Sequence, residues 1–230
     1  MGSAVRSVWL GHRGDRKLRM AETRLDERLE AILALAREYD YDSAHAHQVE
    51  CLAGTLFMEM AEYHHLPRTD RKLLEYAAIL HDIGYKVGSA GHHRHTMMMI
   101  LTEPLLCFTR DEVKIIANVA RYHRKALPSP EHTMFGVLSD ADRQRVVYMA
   151  AMLRVADALD RSHKAVVKEL TCDFTEDAVL LQVVADEPLT VETAAVDRRG
   201  DLFRAVFKKD PRVVVQTPKL ATPEAVYTYA

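Results

Sequence analysis

Apolar side chains recur at helical spacing along most of the chain. Residues 21–38 place Leu25, Leu29, Ile32, Leu33 and Ala36 among Arg, Glu and Asp, the pattern of an amphipathic helix. Asp42 and Ser43 are candidate N-caps for a helix from Ala44 to Tyr63, with the stripe Val49, Leu52, Leu56 and Met60. Pro67 breaks the chain before the run Leu73 to Gly84, and Gly84 lets it turn away. A helix starting near His95 carries Met98, Met99 and Leu101, and another starts at Asp111 with Ile115, Ile116, Val119 and Ala120. Residues 126–140, with Pro128, Pro130 and Gly136, read as a loop. The last long helix is predicted from Ala141 to Lys164, with Val146, Ala150 and Leu153 facing inward. The period then changes. Residues 166–170 and 179–184 are strand-like, 190–208 reads as a helix and 212–216 as another strand. This predicts a mainly α body with a small C-terminal α+β appendage. Residues 1–20 show little periodicity and read as a leader or mobile arm.

The stripes carry groups that do not belong in a plain core. His45 lies 4 before Val49 and 7 before Leu52, and His81 follows Leu74, Ala77 and Ala78 by 7, 4 and 3. His95 precedes Met98 and Met99 by 3 and 4, and His123 follows Ile116 and Val119 by 7 and 4. Asp157 lies 11, 7 and 4 beyond Val146, Ala150 and Leu153, and Asp82 adjoins His81. A carboxylate on a core stripe is costly unless compensated. Four His and two Asp on inward faces therefore point to a shared cation. Core His–Asp hydrogen bonds are the alternative. Mixed imidazole and carboxylate donors suit Mn, Fe, Mg, Co or Ni, and the lack of Cys near them argues against a structural zinc.

Composition narrows the setting. The 230 residues are 48% hydrophobic and 28% charged, enough for one domain or one domain with an appendage. A net charge of −2 gives no basic field for nucleic acid, so that partner is not favoured. No apolar run spans a membrane and the start lacks a signal-peptide core. Cys51, Cys107 and Cys172 are few and far apart, which fits reduced thiols in the cytoplasm.

The pattern His45, His81-Asp82 and Asp157 resembles the H…HD…D signature of the HD superfamily of metal-dependent phosphohydrolases. Over residues 40–215 the runs Leu80–Gly84, Gly91–Thr96, Arg121–Lys125, Leu153–Asp157 and Leu159–Ser162 look like the C-terminal HD domain of exopolyphosphatase/guanosine pentaphosphate phosphatase proteins. The resemblance implies an HD-domain helical bundle over 21–165, with residues 166–230 as an α+β appendage packed on it. In those proteins the established phosphatase activity resides in an N-terminal actin-like fold with glycine-rich phosphate loops. This chain has no such loops, so that activity does not carry over; its filled ligand positions favour an activity of its own.

The resemblance further implies a metal set of His45, His81, Asp82 and Asp157. Asp82 would bridge to a second cation completed by His95 and His123, with one ion as the alternative. Asp82, His123 and Arg161 are the implied catalytic residues, acting while a metal-activated water attacks phosphorus. Lys86, Arg121, Arg124, Lys125 and Arg161 are candidates for binding substrate phosphate, Arg161 because it sits one turn past Asp157. His92 and His93 are either proton carriers or helix caps. The expected substrate is a phosphate ester or anhydride, of a nucleotide or related phosphorylated small molecule. The rival reading is a regulatory, oligomerisation or polyphosphate/RNA-binding module with a retained metal centre, and a homo-oligomer is left open.

Overall fold

The computed structural model describes residues 12–216, with side chains from residue 23. Ten helices, a 3-10 turn and a three-stranded sheet make up the described chain. The helices are α1 (His12–Glu38), α2 (Ser43–Glu59), α3 (Ala61–His64), α4 (Asp70–Leu80), α5 (His92–Thr102), α6 (Arg110–Arg121), α7 (Thr133–Gly136), α8 (Asp140–Leu159), α9 (Thr190–Arg199) and α10 (Asp201–Phe207). The strands are β1 (Val167–Phe174), β2 (Ala178–Ala185) and β3 (Asp210–Gln216), and Ile83–Lys86 forms the 3-10 turn. The mainly α body with a small α+β appendage is therefore as the periodicity predicts. No described helix is long and apolar enough to cross a membrane.

The helix starts follow local chemistry. Asp42 caps α2 by accepting from the His45 backbone N–H at 3.2 Å. Thr109 and Glu112 close a reciprocal capping box on α6, which the sequence reading placed one residue later, at Asp111. Ser139 caps α8 through the Asp142 N–H. Other boundaries differ from expectation. Residues 12–20, read as part of an arm, lie in α1, while residues 1–11 fall outside the described chain, as do 217–230 at the end of the appendage. The stretch 44–63 is two helices, interrupted at Met60, and 190–208 is interrupted at Gly200. The loop 126–140 contains the short helix α7. Most consequential, α8 stops at Leu159 rather than 164. Asp160 leaves the helical region, with φ −122 and ψ 37. Its carboxylate then accepts from the Ala165 N–H at 2.8 Å, closing a tight reversal in which His163 and Ala165 adopt positive φ.

The helical body packs around α4 and the second half of α8. Along α4 the residues Leu73, Leu74, Tyr76, Ala77, Ala78, Ile79 and Leu80 are all buried, and along α8 every residue from Met149 to Leu159 is buried. Helices apolar on all sides lie inside a bundle. α2 packs on α4 and α8, α6 on α4, α5 and α8, and α1 on α4. A half-buried ion pair ties the two central helices, with Arg145 donating to both oxygens of the buried Asp70 at 2.8 and 2.7 Å.

The appendage closes over α2 and α8. β1 and β2 form an antiparallel hairpin, and β3 pairs parallel to β2, so the chain crosses over through α9 and α10. A bulge between Val167 and Glu169 resets the alternation, turning Val167, Leu170 and Cys172 inward. α9 and α10 pack on α8, and β1 packs on α2, where Gln48 donates to the Val167 carbonyl at 2.6 Å.

Gly84 has a different purpose from the expected free turn. Its φ is not in the left-handed region, which among the described glycines is taken by Gly91 alone. A Cβ at Gly84 would lie 2.1 Å from the His92 carbonyl oxygen and 2.6 Å from the Thr96 nitrogen. The glycine lets the start of α5 press against the turn after α4, and Thr96 Oγ bridges the two, accepting from Gly84 N–H and donating to the His81 carbonyl, both at 3.0 Å. Gly84→Ala is expected to destabilise by about 2 kcal/mol or more, whereas Gly88→Ala, in open space, stays within about 0.5 kcal/mol of the parent. Urea denaturation checks this; equal midpoints for the two variants would contradict it.

Candidate metal centre

Five helix ends deliver the ionisable groups to one place. His45 stands in the first turn of α2, His81 caps the end of α4, Asp82 follows it, His92 opens α5, His123 follows the end of α6, and Asp157 lies in the last turn of α8. They form two groups whose donor atoms lie within 4.8 Å of one another: His45, His81 and Asp157; and Asp82, His92 and His123.

The hydrogen bonds fix which nitrogen each ring presents. His81 Nδ1 is 2.6 Å from the Ala78 carbonyl, His123 Nδ1 2.7 Å from the Ala120 carbonyl, and His92 Nδ1 3.1 Å from the Ser89 carbonyl. In each case the acceptor is three residues back. His45 Nδ1 lies 2.8 Å from the Asp160 carboxylate. Carbonyl and carboxylate oxygens only accept, so each Nδ1 carries a proton, and in that tautomer the Nε2 lone pair is aimed inward.

Those lone pairs lack protein donors. His45 Nε2, His81 Nε2 and Asp82 Oδ1 are buried without a hydrogen bond. His92 Nε2 and His123 Nε2 face each other at 3.3 Å, and lie 3.2 and 3.4 Å from Asp82 Oδ1. His45 Nε2 is 3.6 Å from Asp157 Oδ1, and His81 Nε2 is 3.5 Å from Asp82 Oδ2. Asp82 thus turns one oxygen toward each group. Buried acceptors crowded together without donors are unfavourable as they stand. A cation in each group would satisfy them, and the donor set fits a divalent ion of the Mn, Fe, Co, Ni or Mg type.

The protonation states suit such ligands. Burial pushes the Asp82 carboxyl upward, but the facing His81, His92 and His123 outweigh it and hold Asp82 well below the usual carboxylate range. For Asp157, burial is likewise opposed by Arg199 and then by His81 and His123, leaving the carboxyl below its ordinary value. Burial drives His123 down to about 3, so its ring is neutral at pH 7.

The sequence-derived sites are placed as follows. His45, His81, Asp82, His123 and Asp157 come together, and His95 does not join them. The second group takes His92, the first residue of α5; His95, one turn on, is half-buried, its Nδ1 without a hydrogen bond. Apolar spacing favoured His95 because Met98 and Met99 follow it, yet Met98 is exposed. Arg161 sits on the reversal beyond α8 and is exposed, because the helix that would have carried it on Asp157's face has already ended. Lys86 pairs with Asp40 at the surface. Arg121 lies over the Tyr122 ring and reaches Met97 Sδ at 3.6 Å. Arg124 donates to Tyr85 Oη at 3.0 Å, and the Tyr85 ring stacks on His92 with centroids 3.9 Å apart. Lys125 is exposed in a left-handed conformation. His93 is buried beside these cations; burial first, and then His92, Arg94, Arg121 and Arg124, lower it to about 4.

Three neighbours of the centre were not singled out from sequence. Asp160, fully buried, bonds His45 Nδ1. His163 stacks on the His45 ring with centroids 3.7 Å apart and bonds the Asp42 carboxylate at 3.0 Å. Arg199, from α9, donates to Asp157 Oδ2. The Asp157-to-Asp160 spacing was a usable signal for Asp160, whereas nothing local pointed to Arg199, 42 residues from its partner.

Asp160→Ala is expected to cost about 3 kcal/mol, because it strands the His45 Nδ1–H and the Ala165 N–H in the interior. Asp160→Asn, which keeps one acceptor oxygen, should recover part of that. Chemical denaturation of both variants checks the ordering, and an alanine variant as stable as the parent would contradict it.

The chain is 28% identical over 180 residues to the guanosine-5'-triphosphate,3'-diphosphate pyrophosphatase of Vibrio vulnificus (strain YJ016), an alignment covering 74% of this chain and 35% of that protein. The chain thus matches about a third of the relative's length. The family model described as Ppx/GppA phosphatase, domain III, matches residues 28–196, a span holding all six residues of the two groups as well as Asp160. The chain belongs to the Ppx/GppA phosphatase domain III family.

Proposed function

We propose that this chain is an HD-type, metal-dependent phosphohydrolase that acts on a phosphate ester or anhydride of a nucleotide. The observation that carries the reading is the set of four imidazoles with Nδ1 committed outward and Nε2 aimed inward beside two ionised carboxylates. His45, His81 and Asp157 would hold one divalent ion, His92 and His123 a second, and Asp82 would join the two. Bound divalent ions at such a centre supply Lewis-acid stabilisation of phosphoryl oxygens and acidify the attacking water.

The chain's own residues account for the remaining requirements. The carbonyls of Ala78, Ser89 and Ala120 and the Asp160 carboxylate hold the four rings in one tautomer, so no ring has to reorient as a substrate arrives. Arg121 and Arg124 contribute positive charge on the His92 side, which favours an anionic substrate. The name of the Vibrio relative makes guanosine 5'-triphosphate 3'-diphosphate the first substrate to try. The cysteines, none disulfide-bonded among the described residues, fit the reducing cytoplasm where such nucleotides occur.

A second reading has its own support. The matched region is one domain of a longer relative, so a regulatory or polyphosphate-binding module with a retained metal centre is the rival. A panel of Mn, Mg, Co, Ni and Fe against nucleotides, including guanosine polyphosphates, separates the two. The expected result is metal-dependent turnover that Asp82→Ala abolishes. Full metal occupancy with no turnover on any phosphoester would contradict the enzyme and favour the module.

The two-ion arrangement has a separate test. His123→Ala should lower metal content from about two ions per chain to about one. Elemental analysis that finds one ion in both the parent and this variant would contradict the second site.

A further inference from the structure

The α+β appendage reaches into the metal centre through one side chain. Arg199, the last residue of α9, donates through Nη1 to Asp157 Oδ2, the oxygen opposite the one that faces His45. It is the one Lys or Arg among the described residues that pairs with a carboxylate of the two ligand groups. Its placement is enforced from both ends of α9. Glu192, buried at 2% exposure, accepts from the Ser162 N–H at 3.0 Å, on the reversal that follows α8. Arg154, buried at 3% exposure on α8, donates to the Arg199 carbonyl at 3.3 Å, to Asp201 Oδ1 at 3.1 and 2.7 Å, and to the Tyr122 carbonyl at 3.2 Å. The last contact ties α9 to the residue preceding His123.

A guanidinium has five N–H donors, and Arg199 uses Nη1 for Asp157. Its Nε and Nη2 make no hydrogen bond among the described residues, and the side chain remains 15% exposed. Were Arg199 needed only to neutralise Asp157, a buried guanidinium bonded through all three of its nitrogens, like that of Arg154, would serve. A guanidinium on a tethered helix, with unused donors beside a carboxylate ligand and partly exposed, is suited to an oxyanion that arrives at the centre. Of the cations favoured by sequence, Lys86 is taken by Asp40, Lys125 and Arg161 project from exposed turns, and Arg121 and Arg124, which stand on the His92 side, pair with neither ligand carboxylate.

We infer that Arg199 is a phosphate anchor: it binds a phosphoryl oxygen of the substrate with its free donors while its Nη1 stays on Asp157. The appendage thereby supplies part of the substrate site. This rests on the metal-centre reading above.

The test is calorimetric titration of inorganic phosphate and of pyrophosphate into metal-loaded protein, with elemental analysis of the same samples. Arg199→Gln should keep its metal and lose phosphate affinity by about tenfold or more, the weight of a charge-assisted hydrogen bond. Affinity within about twofold of the parent, a margin far below one such bond, would overturn the inference. So would loss of metal together with phosphate, which would make Arg199 a positioning residue for Asp157, and so would a metal-loaded parent that binds neither anion. If Arg199→Gln does not fold, Arg199→Lys decides by the same criteria, since it keeps the charge opposite Asp157 without the planar fork. A parent protein that takes up no metal would sink the proposed function. The titration on that metal-free protein still judges the anchor, with Arg199-dependent phosphate binding supporting it and none overturning it.

Discussion

Two ionised carboxylates and four imidazoles share one buried volume, and the helices around it are arranged to make that tolerable. Asp82 and Asp157 bring negative charge, and the C-terminal ends of α4, α6 and α8, marked by His81, His123 and Asp157, add the negative poles of three helices. The N-terminal ends of α2 and α5, marked by His45 and His92, offset only part of this. Arg199 supplies one fixed positive charge from the appendage. The remaining excess of lone pairs and negative charge is what a divalent ion would neutralise. The proposed cation site would thus depend on the whole bundle rather than on the His-Asp dipeptide alone.

The supporting interactions read as consequences of that constraint. Three of the four rings are tied to a carbonyl three residues back, a bond available where a helix ends or begins and its backbone groups are free. Gly84 and Thr96 hold the turn after α4 against α5, which keeps His92 facing Asp82 and His123. Asp160 ends α8 and orients His45 with the same carboxylate, so the helix boundary and the ligand geometry are set together.

Most of the body was legible from periodicity, because α2, α4, α6 and α8 each bury a regular stripe. His45, His81, His123 and Asp157 were legible for the same reason: a polar group in phase with the stripe must face the interior. His95 shows the limit of that argument. The stripe of α5 is short, Met98 on it is exposed, and the residue that reaches the centre is the one at the helix start. Arg161 failed because a boundary error of a few residues moves a side chain off its face. Arg199 and the Glu192 tether could not be read at all, since they depend on how the crossover between β2 and β3 lies against α8. Tertiary placement of that kind leaves no periodic trace.

The central claim is that divalent ions belong in this buried cluster and contribute to the folded state. The most direct measurement is the melting temperature of the full chain as Mn is titrated in and then removed with a chelator. A ligand held only by the folded chain stabilises it by about 2.7 kcal/mol at a hundredfold excess over its dissociation constant, so the midpoint should rise by several degrees and fall back on chelation. A midpoint that stays the same across the titration and after verified metal removal would contradict the account, and would leave the six residues as a network of His–Asp contacts.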